Sequence, residues 1–230
     1  MKKPSCLGVI TARGGSKSLK NKNILLTAGK PLIAWTIEAA LKSHVIEDLI
    51  VSSDSKKIIT VAEQWNCSAP FVRPQHLSND VAKSIDVILH AIENMPRYNY
   101  VALLQPTCPL RLASDIDAAF YLLTEKGAPS CVSVVESEEK PYWMYNLDSS
   151  STLSNIVTPK EEYSRRQNLP KSYLLNGSIY IAKTDWLLKT KSFISSETVG
   201  YVMPAERSLD IDTLDDFNLA CEALRPKRSV

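Results

Sequence analysis

The sequence predicts an α/β protein with a mostly parallel sheet and helices on both faces. Two observations support this fold class. Up to Val135, short apolar runs typical of buried strands alternate with segments whose apolar residues recur at helical spacing. A loop rich in glycine and lysine follows the first apolar run, and open α/β sheets bind ligands at the carboxyl ends of their strands. We therefore expect a ligand site at that edge of the sheet.

Each element of this first part has its own sequence signature. Cys6–Thr11 and Tyr100–Gln105 are nearly continuous apolar runs, as expected for strands that are buried on both faces. Pro31 is expected to open a helix, because proline is favoured in a first turn. Ser114 is expected to cap another helix, with Asp117 completing a capping box. The remaining predictions are strands at Leu49–Ser53 and Cys131–Val135 and helices at Lys56–Trp65, Ser84–Met95 and Asp115–Thr124.

The pattern changes after Glu136. Residues 138–175 are polar and aromatic with alternating apolar positions, which indicates an extended hairpin or arm inserted in a single domain of residues 1–230. Aromatic side chains of such an arm can pack on their own strands, but exposed apolar residues more often dock on a partner, so we expect a homodimer. The chain then returns to strands at Asn176–Ala182 and Val199–Met203 and closes with a helix at Thr213–Leu224.

Composition excludes several classes of protein. The chain has 230 residues, of which 44% are hydrophobic, enough for one sizeable core. Its net charge of +2 gives no overall attraction to nucleic acid or to a membrane surface. No secretory signal or apolar span is expected, and the five isolated cysteines favour a reduced, cytoplasmic protein. The three histidines have no metal-type spacing, so a zinc site is not expected.

The loop of residues 12–22 is the most informative segment. Gly14 and Gly15 can adopt backbone angles closed to other residues, so that consecutive N–H groups point the same way, and the loop also holds four cations. This combination suits a triphosphate. The spacing fits neither the Walker motif nor the dinucleotide fingerprint. A solvated basic turn is the alternative interpretation.

Three further segments carry candidate chemistry. Gln105, at the end of a predicted strand, offers both a donor and an acceptor for a base or a sugar hydroxyl, although the segment can also be a simple turn. Asp210 and Asp212 share one side of an extended stretch and could hold Mg²⁺, unless Asp212 or Thr213 only caps the last helix. The pair containing Arg166 could bind a carboxylate bidentately or form a solvated basic turn.

Five segments together resemble the acylneuraminate (CMP-sialic acid synthetase-like) cytidylyltransferases. They occur in the family's order, within residues 6 to 224. They are Ala12–Lys17 with Lys22–Asn23, Leu104–Arg111, Arg166–Pro170, Asn176–Tyr180 and Asp210–Thr213.

This resemblance implies a Rossmann-like nucleotidyltransferase fold with a small dimerisation arm. It also implies an enzyme that uses Mg²⁺ to convert CTP and a nine-carbon α-keto acid sugar into a CMP-sugar and pyrophosphate.

The resemblance also implies roles for individual residues. Catalytic positions fall on Arg13, Lys22 and Asp210, and the metal carboxylates on Asp210 and Asp212. CTP-binding positions fall on Ala12, Gly14, Gly15, Ser16, Lys17, Asn23, Arg73, Ala82 and Ser84. Sugar-binding positions fall on Gln105, Arg166, Asn176 and Tyr180, with Arg166 acting in its own site or in the partner's.

Some residues depart from the family pattern. Trp143 stands about where relatives that use N-acetylneuraminate commonly have a lysine, Ser18 where glycine is usual, and Cys108 where serine is usual. The bulkier, less polar Trp143 favours a sugar such as N,N'-diacetyllegionaminic acid. One alternative is the cytidylyltransferase for eight-carbon 3-deoxy-manno-octulosonate, against which the segment Arg165–Pro170 argues. Another is a catalytically silent nucleotide-binding protein, which the complete set of catalytic and metal positions disfavours.

Overall fold

A computed structural model describes residues 5–16, 18–158 and 169–225. Its strands are β1 (Cys6–Thr11), β2 (Leu26–Thr27), β3 (Lys30–Pro31), β4 (Asp48–Ser52), β5 (Tyr100–Leu104), β6 (Ser130–Glu136), β7 (Tyr145–Leu147), β8 (Leu153–Asn155), β9 (Tyr173–Lys183) and β10 (Val199–Val202). Its α-helices are α1 (Leu32–Leu41), α2 (Lys56–Gln64), α3 (Ser84–Glu93), α4 (Ala113–Glu125), α5 (Thr184–Thr190) and α6 (Leu214–Ala223).

Six strands form the central sheet, in the order β10-β6-β9-β5-β1-β4. The pairs β1–β4, β1–β5 and β10–β6 are parallel, whereas β9 is antiparallel to both β5 and β6. The predicted mostly parallel sheet is confirmed. The carboxyl ends of β1, β4 and β5 lie side by side at one edge, where the loops that follow them meet.

Apolar side chains of the strands alternate between two cores, one on each face of the sheet. In β1, Cys6 and Ile10 belong to one hydrophobic cluster, and Leu7 and Val9 belong to the other. Helices α1, α2 and α4 pack on the first face, and α3 and α5 pack on the second. The predicted helices on both faces are therefore confirmed, and they hold the strand ends in fixed positions.

Two local predictions are wrong. Helix α4 begins at Ala113, and the carboxylate of Asp115 caps it by accepting the N–H of Leu112 at 2.9 Å, so Ser114 lies inside the helix. Asp117 instead accepts hydrogen bonds from the hydroxyl of Ser43 and the N–H of His44. Helix α5, a short helix directly after β9, was not predicted from the sequence.

The segment of residues 138–158 leaves the main sheet. Here β7 and β8 pair only with each other as an antiparallel hairpin, with Leu147 opposite Leu153. Arg165 and Arg166 lie outside the described residues. Large apolar side chains are exposed on and beside the hairpin, namely Trp143, Met144, Tyr145, Leu147, Leu153, Ile156 and Val157. Among the described residues, no helix has both the length and the apolar composition needed to cross a bilayer.

Candidate active site

A cavity of about 430 Å³ opens where the carboxyl ends of β1 and β5 meet. Four segments contribute to its wall. They are residues 11–23 after β1, residues 73–87 leading into α3, residues 105–107 after β5, and the pair Asp210 and Asp212 before α6. Polar and charged side chains dominate the lining, and the volume is typical of a small-molecule site.

Lys22 connects the loop after β1 with the two aspartates. Its side chain is almost fully buried, and its ammonium donates to the Ile211 carbonyl at 2.6 Å and lies 3.4 Å from Asp212 Oδ1. Asn23 also lines the cavity, where its amide donates to the carbonyl of Arg13. Its Oδ1 atom is buried and has no hydrogen-bond partner within the described ranges. Residues almost two hundred positions apart in sequence therefore form one wall.

Two arginines supply further positive charge. Arg13 is partly exposed and forms an ion pair of 2.7 Å with Asp80. Arg73 is only 5% exposed, and neither its Nε nor its NH2 atom has a hydrogen-bond partner among the described residues. Burial lowers the pKa of Arg73, although Asp54 at 4.0 Å opposes this effect. A buried guanidinium with unused donors beside a cavity is suited to an oxygen-rich ligand.

The two glycines do not act as the sequence suggested. Neither Gly14 nor Gly15 has a positive φ, and the N–H of Gly14 donates to Asp54 Oδ1 at 2.9 Å. A Cβ atom on Gly14 would lie 3.0 Å from the Cβ of Ser55, so close packing favours glycine at this position. The expected nest of parallel N–H groups is therefore wrong at Gly14, and the positive charge of the loop comes from its side chains.

Asp210 and Asp212 both reach the cavity because Ile211 between them is buried. The N–H of Ile211 donates to the Thr107 carbonyl at 2.9 Å, which fixes this extended segment against the loop after β5. Thr213 caps α6 by accepting the N–H of Asp216, so Asp212 is not required as the cap and remains 78% exposed.

The donor set fits Mg²⁺. Asp210 Oδ1 is buried and has no hydrogen-bond partner in the part of the chain that the structure describes, and Asp212 offers a second, accessible carboxylate. Magnesium in proteins is commonly held by one or two carboxylates, with water and phosphate oxygens completing the shell. Within the described ranges, no group of three or more histidine, cysteine or acidic side chains is arranged to hold a metal. Substrate phosphates and water would therefore have to supply the remaining ligands.

The floor behind Asp210 is tightly packed. Gly177 has φ +73°, and a Cβ atom there would lie 3.1 Å from Asp210 Oδ2. The thiol of Cys108 is buried and lies 3.4 Å from the carbonyl of Asn176. Burial, together with the charge of Asp210, raises the pKa of Cys108 to about 12, so the thiol stays protonated and is not a nucleophile.

The structure separates the predicted site residues into groups. The residues Arg13, Ser16, Lys22, Asn23, Arg73, Ala82, Ser84, Gln105, Asp210 and Asp212 line the cavity. Ala12, Gly14 and Gly15 belong to the supporting loop and are not among the lining residues. Lys17 and Arg166 lie outside the described residues.

Two predicted sugar residues are not at the cavity surface. Asn176 is buried, with Oδ1 accepting from the Ser133 hydroxyl at 2.6 Å and Nδ2 donating to the Ser208 hydroxyl at 2.9 Å. Its amide is thus used inside the protein, where it ties β9 to β6 and to the segment before Asp210. The ring of Tyr180 packs against Phe193 with centroids 5.7 Å apart.

Two carboxylates of the site were not assigned from sequence. Asp54 follows β4 and holds both the N–H of Gly14 and, at longer range, Arg73. Asp80 lines the cavity and pairs with Arg13. The position of Asp54 directly after a buried strand was the available signal, because ligand sites of open α/β sheets form at strand ends.

Comparison with known proteins identifies the family of this chain. The family described as "Cytidylyltransferase" matches residues 7–208. The N-acylneuraminate cytidylyltransferase of Escherichia coli O18:K1:H7 is 40% identical over 215 residues, covering 93% of this chain and 51% of the relative, so this chain spans about half of that protein's length. The CMP-N,N'-diacetyllegionaminic acid synthase of Legionella pneumophila is 39% identical over 220 residues and is covered to 93%, as is this chain.

Solved structures show the same fold at low sequence identity. The structure of CMP:2-keto-3-deoxy-manno-octonic acid synthetase complexed with CTP superposes with a TM-score of 0.70 at 16% identity, covering 95% of this chain and 97% of the other. That likeness establishes the nucleotidyltransferase fold, while the sequence matches above extend over nearly all of the described chain. The protein belongs to the cytidylyltransferase family.

Proposed function

We propose that this protein transfers the cytidylyl group of CTP to a nonulosonic acid, a nine-carbon α-keto acid sugar, and releases pyrophosphate. The observation that carries the proposal is the junction of Lys22 with the aspartate pair, where the ammonium lies 3.4 Å from Asp212 Oδ1. Cations for a triphosphate and carboxylates for a divalent metal share one cavity there. The relatives named for N-acylneuraminate and N,N'-diacetyllegionaminic acid support the sugar class.

CTP is proposed to occupy the side of the cavity between residues 11–23 and 73–87. The unused donors of Arg73 and the unpartnered Oδ1 of Asn23 provide hydrogen-bonding groups for the nucleoside. Ala82 and Ser84 line the same side, just before and at the start of α3. Arg13 and Lys22 then face the phosphates, and positive charge there stabilises the negative charge that develops on the departing pyrophosphate.

Asp210 and Asp212 are proposed to hold Mg²⁺. When bound, Mg²⁺ would neutralise charge on phosphate oxygens. In the reaction, the anomeric oxygen of the sugar forms a bond to the α-phosphorus while the bond from that phosphorus to the bridging oxygen of pyrophosphate breaks. Asp210 accepts a hydrogen bond from the attacking hydroxyl, orients it and takes its proton as the new bond forms, and Gln105 hydrogen-bonds the sugar. The backbone at Gly177 packs closely against Asp210 and restricts its movement.

The identity of the sugar is proposed from the arm. Identities of 40% and 39% to relatives named for different sugars do not separate the two substrates. Trp143 is 45% exposed in the short 3-10 helix Pro141–Trp143, and it presents an apolar surface where a lysine would present a charge. We therefore favour N,N'-diacetyllegionaminic acid over N-acetylneuraminic acid.

The arm of residues 138–175 is further proposed to form a homodimer. The exposed apolar side chains on β7 and β8 would be covered by a second copy, and Arg166 would bind the sugar carboxylate in its own site or in the partner's. The five free cysteines agree with a reducing compartment, and we propose the cytoplasm.

A pyrophosphate-release assay tests the proposed function. The purified protein is incubated with CTP, Mg²⁺ and one acid at a time from N,N'-diacetyllegionaminic, N-acetylneuraminic, pseudaminic and 3-deoxy-manno-octulosonic acids. We expect release with the nonulosonic acids, fastest with the first, and loss of release when EDTA removes the metal. Release with the octulosonic acid alone would identify the eight-carbon enzyme. Tight CTP binding without release from any acid would identify a silent nucleotide-binding protein.

A further inference from the structure

Arg111 is a buried cation that the proposed chemistry does not use. Its side chain is 2% exposed, and no carboxylate among the described residues lies within ion-pair distance of it. Burial lowers its pKa to about 10, so the guanidinium remains charged at neutral pH. A charge is costly to bury unless its donors form hydrogen bonds. The acceptors around Arg111 therefore show which parts of the chain the guanidinium holds together.

The guanidinium joins three separate segments. NH1 donates to the carbonyl of Ser178 at 2.6 Å and to its hydroxyl at 3.1 Å, which engages β9. NH2 donates to the hydroxyl of Thr36 in α1 at 2.7 Å. Both nitrogens also approach the carbonyl of Gln105, at 3.4 and 3.3 Å, where the chain leaves β5. All four acceptors are neutral, so the planar guanidinium acts as a hydrogen-bonded bridge between segments of the chain.

One of these segments reaches the cavity, and the β9 segment packs close behind it. Gln105 lines the cavity, and its Nε2 atom would be 3.6 Å from a Cβ atom on Gly177, the residue before Ser178. The same Cβ atom would be 3.1 Å from Asp210 Oδ2. Gln105, the backbone at Gly177 and Asp210 therefore approach one another closely, next to the β9 carbonyl that the guanidinium binds.

We infer that Arg111 is a positioning residue that fixes the distance between Gln105 and the wall formed by Gly177 and Asp210, and so sets the width of the sugar subsite. The inference rests on the proposed function for its substrate. Lysine cannot replace this bridge, because one ammonium on a flexible stem cannot reach acceptors in three segments with fixed geometry. On the CTP side of the cavity, no described residue of 11–23 or 73–87 accepts a hydrogen bond from the guanidinium.

The test compares Arg111→Lys with a milder change, Thr36→Val, which removes one acceptor and keeps the size of the side chain. Thr184→Val is the matched control, since Thr184 is an equally buried threonine just past the far end of β9, and its hydroxyl has no partner in the described structure. The measurements are Tm, kcat, and KM separately for CTP and for N,N'-diacetyllegionaminic acid.

For Arg111→Lys we expect KM for the sugar to rise at least about tenfold and KM for CTP to stay within about twofold, because small misplacements of site residues strongly reduce productive binding. Thr36→Val should raise the sugar KM by about threefold, and Thr184→Val should change neither KM. Equal rises of both KM values, in step with loss of Tm, would reduce Arg111 to a structural role and overturn the inference. If Arg111→Lys fails to fold, Thr36→Val and Ser178→Ala test the inference instead. The same comparison applies, between KM for the sugar and KM for CTP.

Hydrogen exchange separates failure of this inference from failure of the proposed function. Arg111→Lys should speed amide exchange in both residues 104–111 and 174–179 while leaving α2 unchanged, whatever the substrate is. An inactive wild-type protein would refute the proposed function only, since the exchange result would still stand. Unchanged exchange in either segment would show that the guanidinium does not couple them.

Discussion

In most proteins, charged side chains are exposed and apolar side chains are buried. The cavity and the arm each depart from this distribution, in opposite directions. At the cavity, charged residues are buried, and both Lys22 and Arg73 are less than a tenth exposed. At the arm, large apolar residues are exposed, with Leu147 and Leu153 each more than 60% accessible. Buried charge needs a polar ligand or partner, and clustered exposed apolar surface needs a macromolecular one. This difference is consistent with the two roles that we propose, a small-molecule site at the cavity and a protein interface at the arm.

The two regions also differ in how they are supported. The cavity is built on strands that are flanked by helices on both faces, and its side chains are held by long-range contacts such as that of Lys22 with Ile211. The hairpin of β7 and β8 has three residues in each strand and pairs with no other described strand. A two-stranded hairpin is at best marginally stable alone in water. We therefore expect the arm to be ordered fully only by its partner.

The largest expected effect comes from removing charge at the cavity. Asp210→Asn and Asp212→Asn each keep an oxygen but lose the negative charge, and should lower kcat by about 10²–10³ with little change in Tm. Asp215→Asn is the control, because Asp215 is exposed in the first turn of α6 and does not line the cavity. Pyrophosphate release measured over a Mg²⁺ titration checks this. Normal metal-dependent rates in both variants would remove the metal assignment.

Substitutions in the arm should affect dimer formation before they affect CTP binding. Leu147 and Leu153 face each other across the hairpin, and burying a leucine is worth about 1.5–3 kcal/mol. The double change Leu147→Asp with Leu153→Asp should therefore weaken a dimer at least about a hundredfold while leaving CTP affinity unchanged.

Sedimentation over a range of protein concentrations, with CTP affinity from calorimetry, checks this second prediction. Leu188→Asp is a control, since Leu188 is also exposed, at 42%, but lies on α5. A wild-type protein that stays monomeric at every concentration, or a dimer that survives the double change, would contradict the assignment of the arm as a protein interface. A parallel loss of sugar turnover would place Arg166 in the partner's site.

Local sequence patterns predicted the central strands and the extended aspartate segment well. The apolar runs of β1 and β5 were readable because strands buried on both faces carry few polar residues. Asp210 and Asp212 were readable because alternate residues of an extended segment share a side, and buried Ile211 between them enforces this.

What the sequence could not reveal depends on contacts between distant residues. An apolar strand carries no sign of its direction, so the antiparallel course of β9 was not predictable. Asn176 has the same appearance in sequence whether its amide faces a substrate or, as here, Ser133. Gly14 is favoured by the close approach of Ser55, forty-one positions away. Arg111 looks like an ordinary surface cation until the three segments around it are brought together.

The smallest expected effect concerns the ion pair at the mouth of the cavity. Arg13 and Asp80 are 35% and 44% exposed and 2.7 Å apart. An exposed pair of this kind is worth about 0.2–1 kcal/mol. A triphosphate that binds Arg13 must displace Asp80 and also meets its negative charge. Asp80→Asn should therefore lower KM for CTP by about two- to fivefold, an effect that weakens as salt rises.

Steady-state kinetics at low and high ionic strength check this last prediction. Asp185→Asn is a closely matched control, because Asp185 forms a 2.7 Å exposed pair with Arg97 outside the cavity. It should leave KM for CTP unchanged at both salt concentrations. A higher KM in Asp80→Asn would mean that Asp80 holds Arg13 in its binding position, and the charge at the mouth would then assist CTP binding where we expect it to compete. Because the ion pair is open to solvent, separating Arg13 from Asp80 costs little free energy. CTP can therefore break the pair at each turnover, as the competing role of Asp80 requires.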